Sequence, residues 1–223
     1  ADRAGEMRSL AGPVKGDGSF VLEGERYPYR VFTTRAGEDS GVKVRLAVDS
    51  ANRPLTAEAD VTIWVERGTP RFEGSVQFAR PVGRAPAGAQ SLVVDSWRLS
   101  SRVKGDSTAA VLEQIEFQYG PDDRAIKLKG TANLTFGRQP EIRGALSSPQ
   151  IDLDRVLALP EATRRRPLAA VKTLAESLVA ASRLPIPMSL SVNVESVTLG
   201  GAMLARVGAE VRVDADGLDI KEF

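Results

Sequence analysis

The strongest constraint in this chain is a strict two-residue alternation of apolar and polar side chains, repeated in one segment after another. In Ile126-Lys127-Leu128-Lys129-Gly130-Thr131-Ala132-Asn133-Leu134-Thr135-Phe136 every even position is apolar or small and every odd position is polar. Successive side chains of a β-strand point to opposite faces, so this period gives a strand with one dry face and one wet face. The pattern recurs through Val42–Val48, Ala59–Val65 and Phe72–Phe78. Short turn signals at Asn52-Arg53-Pro54 and Arg67-Gly68-Thr69-Pro70 join these three segments and predict an antiparallel meander. Shorter strands are predicted over Phe20–Leu22 and Tyr27–Thr34.

A second round follows a Gly/Pro/Ala-rich connector, Pro81 to Ala89. Trp97, Leu99, Ser101 and Val103 make one face, and Ile115, Phe117 and Tyr119 align in the next segment. The turn at Gly120-Pro121-Asp122-Asp123 leads into the Ile126–Phe136 strand, and a short strand covers Glu141 to Leu146. Thr69-Pro70-Arg71-Phe72-Glu73-Gly74 and Gln139-Pro140-Glu141-Ile142-Arg143-Gly144 occupy matching places. This is a loose internal repeat, with sub-repeats over 16–82 and 90–157.

One stretch departs from the β period. Over 160–184 the apolar residues Leu168, Val171, Leu174, Ala175, Leu178 and Val179 fall at helical spacing, predicting one amphipathic helix near residues 163–182. Pro167 suits its first turn, Pro185 and Pro187 end it, and its apolar stripe is expected to lie on the sheet. Alternation returns in C-terminal strands over 186–223. The expected fold is therefore a single, mainly β unit spanning 1–223. Its strongly curved antiparallel sheet forms a groove or a partly closed sandwich.

Composition narrows the chemistry. The chain has 223 residues, with 30 basic and 29 acidic side chains, so no net field favours nucleic acid. It has neither His nor Cys. That removes the commonest general base, thiolate nucleophiles and the commonest metal ligands. No run of about 18 apolar residues suggests a membrane-spanning helix. Asp152 and Asp154, spaced i, i+2, are readable as a metal or acid/base pair, but the simpler expectation is the wet face of a short strand whose dry face is Ile151 and Leu153. Asp214-Ala215-Asp216-Gly217 has the start of a calcium loop without its remaining ligands, and a hairpin turn is the better expectation. Arg164-Arg165-Arg166 is expected to be solvated rather than to touch lipid headgroups. Trp64 stands on the polar phase of its strand, either over a second buried face or as a lone exposed aromatic.

Thr69-Pro70-Arg71-Phe72-Glu73-Gly74-Ser75-Val76 is similar to a recurrent Pro-to-Gly strand of the AsmA family. Pro140 to Ser148, running into Ile151-Asp152-Leu153-Asp154-Arg155-Val156-Leu157, resembles that family's hallmark more closely. Ile186 to Leu199, followed by Gly200-Gly201 and a strand reaching Asp216-Gly217-Leu218, is similar to a third pattern of the same family. The resemblance covers the chain from about Gly16 onward.

The resemblance implies a fragment of a longer, inner-membrane-anchored Gram-negative envelope protein, related to TamB and to bridge-like lipid carriers. It implies a periplasmic, non-catalytic module that conducts or shields phospholipid or other acyl chains along an apolar β groove during outer-membrane biogenesis. Partners would be lipid and flanking segments of the same protein, with no nucleic acid and no cofactor. Membrane contact would come mainly through an N-terminal anchor outside the chain. The lipid-facing candidates are the dry-face residues Val42, Val44, Leu46, Val48, Ala59, Val61, Ile63, Val65, Phe72, Val76, Phe78, Ile126, Leu128, Ala132, Leu134, Phe136, Ile142, Leu146, Met188, Leu190, Val192 and Val194. The competing expectation is a structural β scaffold of envelope assembly without lipid cargo. An enzyme would need two carboxylates converging in a cleft.

Overall fold

Alternating segments separated by tight turns can pair only with their neighbours, and the chain does this almost throughout. The computed structural model describes residues 13–22, 25–35, 41–48, 55–80, 96–122, 124–157, 187–214 and 217–222. The first strands are β1 (Val14–Leu22), β2 (Glu25–Arg35), β3 (Val42–Val48), β4 (Thr56–Glu66), β5 (Thr69–Arg80) and β6 (Trp97–Asp106). Then follow β7 (Ala109–Tyr119), β8 (Ile126–Thr135), β9 (Glu141–Asp152) and the four-residue helix α1 (Leu153–Val156). The last three strands are β10 (Met188–Leu199), β11 (Ala202–Asp214) and β12 (Gly217–Glu222). They form one 12-stranded sheet in strict chain order, with β1 and β12 at its two ends.

The tightest connections have the residues that their geometry demands. Glu66 pairs with Thr69, leaving Arg67 and Gly68 as a two-residue loop with φ of 50° and 83°. Leu199 pairs with Ala202 around Gly200 and Gly201, at φ 61° and 72°. Two consecutive positive φ values mark the turn whose twist matches that of a hairpin. The predicted turn at 67–70 is thus shorter than expected, and Pro70 already lies in β5 opposite Val65. Asp214 pairs with Gly217, so the suspected calcium loop is a hairpin junction, although residues 215 and 216 lie outside the described residues.

Pairing is antiparallel everywhere except between β9 and β10, which are parallel. This departs from the expected all-antiparallel sheet. Parallel neighbours need a crossover that returns the chain to the starting end. α1 leaves the far end of β9, and the Ile142 amide donates to the Pro187 carbonyl (3.0 Å) where the chain re-enters. β9 is also longer than predicted, reaching Asp152 rather than Leu146. The amphipathic helix expected at 163–182, Arg164–Arg166, the 81–89 connector and the turn at 52–54 lie outside the described residues.

β7 contains a bulge. Its pairing slips by one residue against both neighbours, between Glu113 and Glu116 facing β6 and between Leu112 and Ile115 facing β8, where Gln114 takes φ 53°. The Ser101 hydroxyl, buried beside it, donates to the Glu113 carbonyl (2.8 Å). An extra residue lets the strand change parity: the dry face takes Ala110 and Leu112 before the bulge and Ile115, Phe117 and Tyr119 after it, while Val111 lies in the wet row between Lys104 and Asn133.

The sheet is a single layer. Among the described elements, substantial backbone approach is confined to sheet neighbours and to α1 beside β10. No large side chain among them is wholly sealed from solvent. A two-sheet sandwich would bury far more.

Candidate functional site

Followed across the strands, the pairings make transverse rows. Val14, Thr33, Val44, Val61, Gly74, Val103, Leu112, Ala132, Gly144, Leu190, Val211 and Ile220 are successive partners from one edge of the sheet to the other. Thr33 is its one polar member. A neighbouring row runs Val42, Ile63, Phe72, Gly105, Ala110, Leu134, Ile142, Met188, Val213 and Leu218. On its other side lie Val31, Leu46, Ala59 and Val76, and beyond the bulge Ile115, Gly130, Leu146, Val192 and Ala209. Tyr29, Val48, Ala57, Phe78, Leu99, Phe117 and Leu128 complete the wall over the earlier strands. Since side chains alternate, these rows share one face.

All 22 expected wall residues are described, and for every one except Phe136, which lies past the end of β8, the register places the residue on this face. Their exposure differs. Ile115, Ala132 and Leu146 form a tight buried knot, flanked by Leu99, Leu112, Phe117, Leu128, Ile142 and Leu190. Ile63 and Phe78 are exposed at 38% and 37%. Val65, at the hairpin end of β4, is 69% exposed, and Phe136 lies just past the end of β8. These last two stand at the margin of the wall. Val103, Leu112 and Val213 belong to it but were not among the expected residues. For Leu112 the bulge hides the signal, because its parity disagrees with Ile115 and Phe117.

The opposite face is a lattice of charge pairs. Asp60 on β4 receives Lys43 (3.2 Å) and Arg45 (2.9 Å) from β3. Partial burial pushes the Asp60 carboxyl up, but hydrogen bonds from Lys43 and Arg45 outweigh it and hold it below the usual range. The Lys129 ammonium donates to Glu116 (2.9 Å) and lowers that carboxyl likewise, and Lys104 pairs with Glu113. Such cross-strand pairs set opposite charges side by side and favour this register. Trp64 lies on this face opposite Arg71, half-buried. Trp97 belongs to the dry face, with its ring 6.4 Å from that of Phe117.

Two adjoining depressions, of about 490 and 1140 Å³, share Ser75 and Gln77. Most of their lining residues belong to the polar face, including Lys15, Asp17, Arg45, Asp60, Arg102 and Lys129, with Val31, Leu46, Ala59, Val76 and Ile115 of the dry rows between them. They are furrows between polar rows, whereas the dry face is a broad wall.

Asp152 ends β9 opposite Thr198, but Asp154 lies in α1, so the two do not share the wet face of one strand. Asp152 caps α1, its Oδ1 accepting from the Arg155 amide (3.0 Å). Asp154 is buried, and its Oδ1 and Oδ2 accept from the amides of Gly200 (2.7 Å) and Gly201 (2.8 Å). The two carboxylates therefore serve separate backbone sites. α1 also sets Leu153 and Leu157 against Leu199, a second small apolar cluster. Among the described residues no three potential metal ligands cluster, and no helix is long and apolar enough to cross a membrane.

Compared with protein-family models, curated proteins and solved structures, the chain matches none of them.

Proposed function

We propose that this chain is a non-catalytic module that conducts or shields acyl chains along its dry face, as part of an AsmA-like envelope protein in the periplasm. The observation that carries the reading is the row from Val14 to Ile220, which crosses all twelve strands and is apolar or glycine at every position but Thr33, on a sheet with no second layer among its described elements. A hydrocarbon tail laid on such a wall gains about 0.8 kcal/mol per buried CH₂, whatever its headgroup. That requires continuity of apolar surface and no fixed polar constellation. The motif order around Gly74, Gly144 and Gly200-Gly201 supports the same reading.

A photo-crosslinking amino acid placed in turn at Val61, Leu134, Thr62 and Asn133 tests it in Gram-negative cells. Val61 and Leu134 lie in dry rows, and Thr62 and Asn133 in the adjoining wet row. Phospholipid adducts at the first two positions and not at the others are expected. Equal labelling of both faces, or no lipid adduct at either dry position, overturns the proposal in favour of a scaffold without cargo.

A further inference from the structure

β9 and β10 are parallel neighbours, so the chain between them must cross back over one face of the sheet. The backbone decides which face. An L-residue in an upward-running strand, with its side chain toward the viewer, turns its N–H and C=O to the right. Ile142 is a dry-face residue of β9, and its amide donates to the Pro187 carbonyl just before β10 (3.0 Å). Seen from the dry side with β9 upward, β10 therefore lies on the right. β8 agrees. It runs downward, and the bond from the Phe136 amide to the Thr108 carbonyl (2.8 Å) sets the amide of dry-face Leu134 leftward, toward β7. Crossovers between parallel strands of one sheet are right-handed in about 98% of cases. A right-handed path from β9 to a neighbour on its right passes in front of the sheet, across the dry face.

The exit from β9 already turns that way. Leu199 closes a two-residue hairpin with Ala202, so its amide faces β11 on the right and its side chain stands on the dry side. Leu153 and Leu157 pack against it. The return distance fits as well. β9 has 12 residues, about 40 Å of strand. Residues 163–182, with their helical spacing, supply about 30 Å, and the residues on either side supply the rest.

We propose that residues 158–186, which lie outside the described residues, cross the dry face, and that the apolar stripe from Leu168 to Val179 docks on the wall at β9 and β10. A helix about 10 Å wide covers about two strands spaced about 4.8 Å apart. The stripe then covers Ile142, Leu146, Leu190 and Val192, while the rows from β2 to β8 stay available to an acyl chain. The inference rests on the handedness of the crossover and on the packing of α1, and is independent of any lipid cargo.

The chain contains no cysteine, so introduced cysteine pairs report proximity cleanly. Leu178→Cys, in the stripe, is combined in turn with Leu190→Cys or Val192→Cys on the dry face and with Ser191→Cys or Asn193→Cys on the wet face of the same strand. Each purified, lipid-free protein is treated with a short bis-maleimide, and intramolecular cross-linking is followed by gel mobility, with circular dichroism confirming the fold. L178C with L190C or V192C should cross-link at least about tenfold faster than L178C with S191C or N193C, because adjacent residues of a strand stand on opposite faces of the sheet. Two pairs on each face keep the comparison readable if one variant fails to fold. Equal rates on the two faces, faster reaction on the wet face, or no cross-link to either dry position in a folded protein overturns the proposal. Lipid adducts at Val61 are a separate readout, so loss of the cross-link and loss of the acyl-chain reading are told apart.

Discussion

Asp154 and Gly200 are 46 residues apart in sequence and joined by a 2.7 Å hydrogen bond from the glycine amide to the buried carboxylate. The second oxygen takes the Gly201 amide. The residue that starts the crossover thus holds the turn that ends β10. A two-residue hairpin turn with both φ values positive leaves its amides pointing outward, and the carboxylate satisfies both of them. This ties the parallel pair together at the end where the chain departs.

Removing that carboxylate should cost heavily. Asp154→Ala leaves two amides without an acceptor, at least one of them buried, and should destabilise the fold by about 2–4 kcal/mol. Asp154→Asn keeps one acceptor oxygen and should lose about half as much. Urea unfolding of the three proteins gives the comparison. Equal stability of the alanine variant and the parent would remove the clamp from the account of the fold.

Gly74 should resist any side chain. A Cβ there would fall onto the Asp60 carbonyl oxygen and within 2.6 Å of the Val61 Cα. Gly74→Ala is expected to cost about 1–3 kcal/mol through forced backbone movement. Gly16→Ala, where nothing lies within 4 Å of the added carbon, should stay within about 0.5 kcal/mol of the parent. Thermal melts of the pair distinguish close approach from a general preference for glycine in the sheet.

A charge on the wall should separate lipid capture from folding. Ile63 is partly exposed in the dry row between Val42 and Phe72. Ile63→Lys should cost no more than about 1 kcal/mol of stability, as expected away from a sealed core. It should sharply reduce lipid adducts at Val61. Unchanged adduct yield in a folded I63K protein would speak against an acyl chain on this face.

Acid should loosen the wet face. Hydrogen bonds from Thr108 hold the Asp106 carboxyl below its ordinary value of 3.8, and Lys129 holds Glu116 below 4.5. A carboxyl depressed in the folded state contributes stability that is fully present above its unfolded value and lost as pH falls through its folded value. With no histidine in the chain, stability should be nearly flat from pH 5 to 8 and decline below about pH 4. Melting temperature against pH checks the sign, and Glu116→Gln with Asp106→Asn should flatten the acid limb.

Most of the sheet was legible because alternation is a direct record of which face each residue occupies. Val42 to Val48 and Ala59 to Val65 fall on the predicted face without exception. Legibility failed where the backbone breaks the period. In β7 the bulge at Gln114 inserts one residue, so Leu112 and Ile115 share a face despite opposite parity. In β10 the dry residues are even through Val194 and odd from Val197. Glu195 between them is left out of both pairings, and Arg206 on β11 takes φ 55°. Asp154 was read as wet because its partners are backbone amides of a turn far along the chain, which no local pattern reveals. The parallel pairing of β9 with β10 was hidden for the same reason.

That single parallel pair also governs how copies of the sheet can add to one another. In a wholly antiparallel run of twelve strands the two outermost would point in opposite directions. Copies related by simple translation would then zip β12 to β1 antiparallel, with every dry face aligned and no end to the growth. Because β9 and β10 run the same way, β1 and β12 do too. Translation now offers only the weaker parallel match, and an antiparallel match of β12 with β1 requires turning one sheet over, dry face to wet. A long exposed edge is ordinarily an invitation to fibre formation. Here the parallel pair removes the head-to-tail antiparallel route to such growth.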